Sequence, residues 1–293
     1  MIIYNPKDWF LSVFQFHKAD TFRKLFPLLI IMALYSWGII YMELDYLMLG
    51  EKSHAKNIIL MHTLLGFAIS MLLVFRTNTA YDRWWEGRKL WGALINNSRN
   101  FAIKLEAYLP ADNESSRNYF RQAIPMYAFT LKWHLQKDST RLALDDIPHP
   151  EFEYLAKAIH QPNMLASAMM QRLQQLHKDE QLSATSMLLL NAEWQSLTDI
   201  CGACERIKNT PIPYSYSSFI KKFIVIYVAT LPFGLAFTLG LYAIPVTTFI
   251  FYVLASLELI AEEIEEPFGT DTNDLPMQRM AENIQKNINE IIK

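Results

Sequence analysis

Cysteine is nearly missing from this sequence, with two in 293 residues, too few for a disulfide-built secreted scaffold. Glycine (9) and proline (13) are also scarce. Together with a hydrophobic content of 52%, that excludes collagen-like, low-complexity and disordered chains. Charge is thin: Asp, Glu, Lys and Arg make up 19% of the chain, below the roughly 25% usual in soluble domains. The net charge of -2 excludes a generally basic nucleic-acid binder. The signatures GxGxxG, GxSxG, HExxH and the phosphate-binding P-loop do not occur, so no common catalytic motif is present and no enzyme is expected. There is no period-2 strand pattern longer than a few residues and no internal repeat, which leaves an all-α class.

What the sequence does have is segregation. A mean hydropathy of +0.07 averages over long uncharged runs. Between Lys24 and Glu43 lie 18 uncharged residues, and between Lys56 and Arg76 lie 19. As helices these rise about 27–29 Å, one hydrocarbon thickness. A third run of 35 lies between Lys222 and Glu258. It is too long for one span and slightly short for two, so a turn at Gly240-Leu-Tyr-Ala-Ile-Pro245 should divide it. Four transmembrane helices are expected. Lys and Arg near the span ends set the orientation. Lys18, Arg23, Lys24, Arg76, Arg83, Arg88, Lys89, Lys208, Lys221 and Lys222 flank one side, against Lys52 and Lys56 on the other. Both termini and the middle of the chain are therefore expected in the cytoplasm, in a multi-pass protein of the cell inner membrane. No signal peptide is expected. The aromatic stretch from Trp9 to Phe16 fits an interfacial segment or core packing equally.

Four parts follow: 1–76, an interfacial segment with spans 1 and 2; 77–218, a cytoplasmic helical region; 219–264, spans 3 and 4; and 265–293, a cytoplasmic C-terminal segment. Within 77–218 the helical spacing of Leu, Met and Trp predicts a long helix continuing span 2 to near Pro110. Further helices are predicted over Ser115–Gln136, Asn163–Lys178 and Ser183–Lys208. No Gly- or Ser-rich linker follows Phe75, so one integrated body is expected.

Candidate chemistry is sparse. The histidines at 17, 54, 62, 134, 149, 160 and 177 include no pair with metal-ligand spacing on a helix face. His62, inside the second run, is either an intramembrane functional group or simply a residue near the outer interface, and the second reading is favoured. Cys201 and Cys204 form a CxxC that suits small-residue packing better than redox or zinc chemistry, because no second pair and no preceding strand accompany it. Phe67, Met71 and Phe75 recur every four residues. Such a stripe is either a core or lipid-facing face, which spacing alone favours, or a constriction of apolar rings that gates ions by dewetting. Gly66, Ala68 and Ser70 permit close helix approach. Glu258, Glu262 and Glu266 share a stripe at a helix C-terminus, where carboxylates need compensating partners. Arg76, Arg83, Arg88 and Lys89, or a bound cation, are the candidates, with Glu263 and Glu265 read as a solvated face. Asp271 and Asp274, in an oxygen-rich turn, fit a weak calcium site or a capped turn.

Three stretches together resemble the bestrophin family of ion channels, in its bacterial branch: FRTNTAYDRWWEGRKLWG from Phe75, CGACERIKNTPIPYSY from Cys201, and EEPFGTDTNDL from Glu265. The resemblance covers nearly the whole chain. It implies a homopentamer in the lipid bilayer around a central pore for small monovalent ions, chloride or sodium. It also implies a hydrophobic neck lined by the second helix at Phe67, Met71 and Phe75. A lower constriction falls near Thr185 by counting back from Cys201, with Leu182 or Ser186 as other registers. The family's calcium-binding acidic stretch matches here at Asp271 and Asp274, while Thr270, Thr272 and Asn273 replace acidic positions, so no cofactor is required on this reading. Two other classes stand beside the channel: a membrane redox protein using Cys201 and Cys204, and an inner-membrane scaffold docking partners on 77–218.

Overall fold

The computed structural model describes residues 20–48, 58–136 and 158–293. The segment from Trp9 to Phe16, Lys18, Lys52, Lys56 and the histidines at 17, 54 and 149 lie outside these. Among the described residues the regular structure is entirely helical. In chain order it comprises α1 (Asp20–Tyr41), a π-helical turn (Met42–Tyr46), α2 (Ile58–Tyr108), α3 (Glu114–Gln136), α4 (Gln161–Lys178), α5 (Ala184–Asn209), α6 (Tyr214–Leu239), a 3-10 turn (Gly240–Tyr242), α7 (Ala243–Glu265) and α8 (Met277–Ile291).

The chain forms two compact units. Of the described residues, one holds 20–48, 58–82 and 212–265; the other holds 83–136, 158–211 and 266–293. Helix α2 is 51 residues long without a break, about 75 Å at 1.5 Å per residue, and contributes to both.

The first unit is apolar. Stretches Thr21–Tyr46, Ile59–Tyr108 and Tyr214–Glu265 are long and apolar enough to cross a membrane. The last is divided as the sequence suggests. Gly240 has φ +55°, a conformation that costs an L side chain dearly, and Pro245 sits in the first turn of α7, where its missing N–H is harmless. The chain reverses there: Lys221 on α6 pairs with Glu262 on α7 at 2.9 Å. Ile220, Ile224 and Val228 of α6 pack with Ile69 and Leu73 of α2, and Ile40, Ala236 and Ala243 form a smaller cluster near the turn. Outside these small clusters Phe26, Ile31, Leu34, Trp37, Val225 and Phe249 stay exposed. That inversion of the soluble pattern is what a hydrocarbon solvent allows.

The second unit has an ordinary dense core. Trp91, Phe101, Phe120, Tyr127, Leu131, Leu173, Leu197 and Ile284 are completely or almost completely buried in a single cluster. Two of its helices, α3 and α5, begin where side chains cap them. The Asn113 side chain accepts from the Ser116 N–H at 2.9 Å, and Ser183 Oγ accepts from the Ser186 N–H at 3.0 Å; each satisfies a donor that the first helical turn leaves open. The four helices predicted for 77–218 are present to within one or two residues. Helix α8 was not anticipated. Its Met277, Met280, Ala281, Ile284 and Ile288 are buried at helical spacing, and this amphipathic signal was legible in the sequence.

Candidate functional site

The stripe of Phe67, Met71 and Phe75 lies on α2 within the apolar unit. Ile69 and Leu73 point into the packed face against α6, and the stripe occupies the nearly opposite side of the helix. Its exposures of 72%, 43% and 56% show three large apolar side chains that this chain leaves uncovered. Ser70 Oγ donates to the Gly66 carbonyl at 2.7 Å, and Thr79 Oγ1 to the Phe75 carbonyl at 2.9 Å. Polar groups on this stretch are thus absorbed within the helix itself. Gly66 lets the Tyr227 side chain approach closely: a Cβ there would lie 2.9 Å from the Tyr227 hydroxyl, which would have to shift. His62 is 6% exposed, and its Nε2 bonds the Tyr227 carbonyl at 3.2 Å and Thr230 Oγ1 at 3.0 Å. It ties α2 to α6, a structural role.

Directly after Phe75 comes a buried ion cluster. Arg76 is 1% exposed. Its Nη2 lies 2.7 Å from Glu265 Oε2, and its Nε lies 3.5 Å from Glu258 Oε1. Glu265 Oε1 in turn accepts from the Ile212 N–H at 2.7 Å. The carboxylates at the end of α7 therefore have compensating partners, as the helix dipole requires, but the division differs from the sequence expectation. Glu265, read as solvated, is an inner member of the cluster. Glu263, also read as solvated, is 7% exposed and pairs with Lys24 at 2.6 Å. Two spans packed on α7 supply cations there, which one helix's own sequence does not reveal. Arg83 serves other groups, donating to the carbonyls of Thr210 and Ile207 at 2.5 and 2.7 Å.

In the second unit Gly87 meets the Pro-Phe-Gly segment. A Cβ at Gly87 would lie 3.1 Å from the Phe268 ring and 3.2 Å from Pro267. Trp84 Nε1 donates to the Asn273 carbonyl at 3.0 Å. In the acidic turn, Asp274 is buried and its Oδ2 accepts from the Asp271 N–H at 2.5 Å, while Asp271 is exposed. The two carboxyl groups thus have separate roles. Thr185 is exposed in the first turn of α5 and Ser186 is half-buried. Leu182 is 2% exposed within the core.

Cys201 and Cys204 are buried free thiols. Burial, then the charge of Glu205, pushes the Cys201 thiol up to about 12. Burial and the neighbouring Cys201 push Cys204 up as well. Neither supplies a thiolate at neutral pH, so the pair packs the core and is not a nucleophile. The spacing of the histidines gave no sign of one grouping. His134 Nε2 and His160 Nε2 both converge on Glu205 Oε1, at 2.5 and 2.7 Å. Burial alone would raise the Glu205 carboxyl, but the bonds from His134 and His160 outweigh it and hold it below the usual range.

An all-helical chain with an apolar hairpin and a long helix shared by both units is the architecture of a multi-pass membrane protein. The profile described as Bacterial/Fungal Bestrophin protein matches residues 1–290, and the chain belongs to that family. The voltage-dependent anion channel-forming protein alr2987 of Nostoc sp. is 31% identical over 290 residues, covering 97% of this chain and 92% of that one. The voltage-dependent anion channel-forming protein YneE of Escherichia coli K12 is 31% identical over 286 residues, covering 97% and 92%. Among solved structures, a bacterial Bestrophin homolog from Klebsiella pneumoniae superposes with a TM-score of 0.81 at 28% identity, covering 92% of this chain and 99% of that one. The first two of these relatives are named as channel-forming proteins.

Proposed function

We propose that this protein is an anion channel of the inner membrane, formed by five copies around a central path, with Phe67, Met71 and Phe75 of each copy making a hydrophobic neck. One observation carries this reading. The stripe is turned away from the face that α2 packs on α6, and three large apolar side chains are left uncovered. The names of the relatives support the ion sign; the five-fold ring rests on the family resemblance. An apolar neck holds no fixed charge, so it gates by wetting and drying, and selectivity arises from dipoles and charges elsewhere along the path. Arg76, one residue beyond Phe75, fixes α2 to α7 at the base of the neck. Both termini face the cytoplasm on this reading. Thr185 is the proposed lower constriction, polar in place of apolar. The turn at Asp271 and Asp274 is structural, and conduction needs no calcium.

The test is flux through purified protein in liposomes under opposed sodium and chloride gradients. The reading predicts a potential that follows the chloride gradient. A potential following sodium would keep the channel and reverse its ion sign. No flux would remove the channel.

A further inference from the structure

The second unit contains a convergence of donors that conduction does not use. His134 stands in the last turn of α3, His160 immediately before α4, and Glu205 in α5. These residues are far apart in sequence, yet His134 Nε2, His160 Nε2 and a Glu205 oxygen all lie within 4.8 Å of one another. The two imidazole rings are tilted, with centroids 4.4 Å apart, and both aim at the same oxygen, Oε1. The side chains are 22%, 30% and 28% exposed, partly sheltered but reachable from solvent.

We propose that His134, His160 and Glu205 form a binding site for a divalent transition-metal ion of the zinc class, one ion per chain, with a water molecule completing a four-coordinate shell.

The donor set argues for that class. Two imidazoles and one carboxylate suit zinc and its neighbours, whereas calcium and magnesium take oxygen alone. Three protein ligands with an open fourth position is a recurrent zinc arrangement. Ligands at 2.0–2.2 Å in tetrahedral geometry stand about 3.3 Å apart, so the observed 2.5 and 2.7 Å must each open by a fraction of an ångström. Rotation of the Glu205 side chain supplies that. The end of α3 adds the negative pole of a helix dipole beside His134. The ammonium of Lys208 opposes a cation at His134, and it is directed to the Leu135 carbonyl at 2.8 Å.

One feature resists the ion. His160 Nδ1 accepts from the Asn163 N–H at 3.2 Å, so in the neutral ring the proton sits on Nε2. Binding at Nε2 moves that proton to Nδ1 and releases the cap. This long bond is a small loss beside the affinity of a three-ligand zinc site. The result is a clasp joining α3, α4 and α5.

Full-length protein, purified in detergent and stripped with chelator, is titrated with zinc against a chromophoric chelator and separately with cobalt(II). The expected result is one equivalent of zinc per chain and the intense visible absorption of four-coordinate cobalt. Glu205→Gln, which keeps shape and hydrogen-bond acceptance, should weaken zinc at least about tenfold, as should His134→Ala with His160→Ala. His177→Ala should leave it unchanged. Zinc affinity unchanged in Glu205→Gln, or a cobalt spectrum of six-coordinate aqueous type in the unsubstituted protein, would overturn the site. The cobalt spectrum decides even where a substituted protein does not fold, and neither readout depends on ion conduction.

Discussion

Arg76 Nη2 sits 2.7 Å from Glu265 Oε2, with the guanidinium side chain 1% exposed. A buried cation held by carboxylates is costly to form and more costly to break, since removing one partner strands the other charge out of water. Arg76→Met should therefore destabilise the protein by about 3–5 kcal/mol, read as loss of folded protein on heating or in denaturant in detergent. Glu258 lies farther from the guanidinium, at 3.5 Å, and Glu258→Gln should cost much less. Equal losses in the two variants would contradict this division.

A methyl group at Gly87 would stand 3.1 Å from Phe268 and 3.2 Å from Pro267, so these rings must give by a few tenths of an ångström to admit it. Phe268 is fully buried and cannot swing aside, so Gly87→Ala should cost about 1–3 kcal/mol through overpacking. Gly202, on α5, has nothing within 4 Å of a built Cβ. Gly202→Ala should gain up to about 1 kcal/mol from helix propensity. Thermal unfolding of the two variants side by side tests the pair.

The thiols of Cys201 and Cys204 are pushed far up by burial. In folded protein near pH 8 they should fail to react with a maleimide or a disulfide reagent, and both should react after unfolding. Replacing both with Ser should leave ion flux intact. Rapid labelling of the native protein, or flux abolished without loss of fold, would revive a redox role.

Asp274 accepts the Asp271 N–H inside the turn that follows Phe268. Asp274→Ala should destabilise by about 1–2 kcal/mol, as loss of a buried capping acceptor does. Asp271→Ala, at an exposed position, should stay within about 0.5 kcal/mol. Conductance with calcium and with a chelator should be the same. A calcium-dependent current would assign the turn a second role.

Much of this was legible from residue order because membrane solvent and helical period leave strong marks. Uncharged runs fall in the helices long and apolar enough to cross a membrane, Gly240 and Pro245 located the turn, and the unbroken spacing after Phe75 predicted that α2 runs on without a break. The Phe67, Met71 and Phe75 stripe was visible from its period, although period alone cannot tell a packed face from an open one. What stayed hidden depends on elements meeting from far along the chain. Lys24 reaches Glu263, and Arg76 reaches Glu265, so two glutamates that read as solvated are held inside. His134, His160 and Glu205 share no spacing rule, since each comes from a different helix or its edge. Helix α8 is a different case, because its amphipathic pattern lies within its own residues, at Met277, Met280, Ala281, Ile284 and Ile288.

The neck is tested most directly by single-channel recording in planar bilayers of the unsubstituted protein, Met71→Ala and Phe75→Ala. Trimming a large side chain that narrows and dries the path should raise conductance in both variants, with the ion preference little changed. Currents indistinguishable from those of the unsubstituted protein in both variants would contradict a conduction path lined by this face of α2.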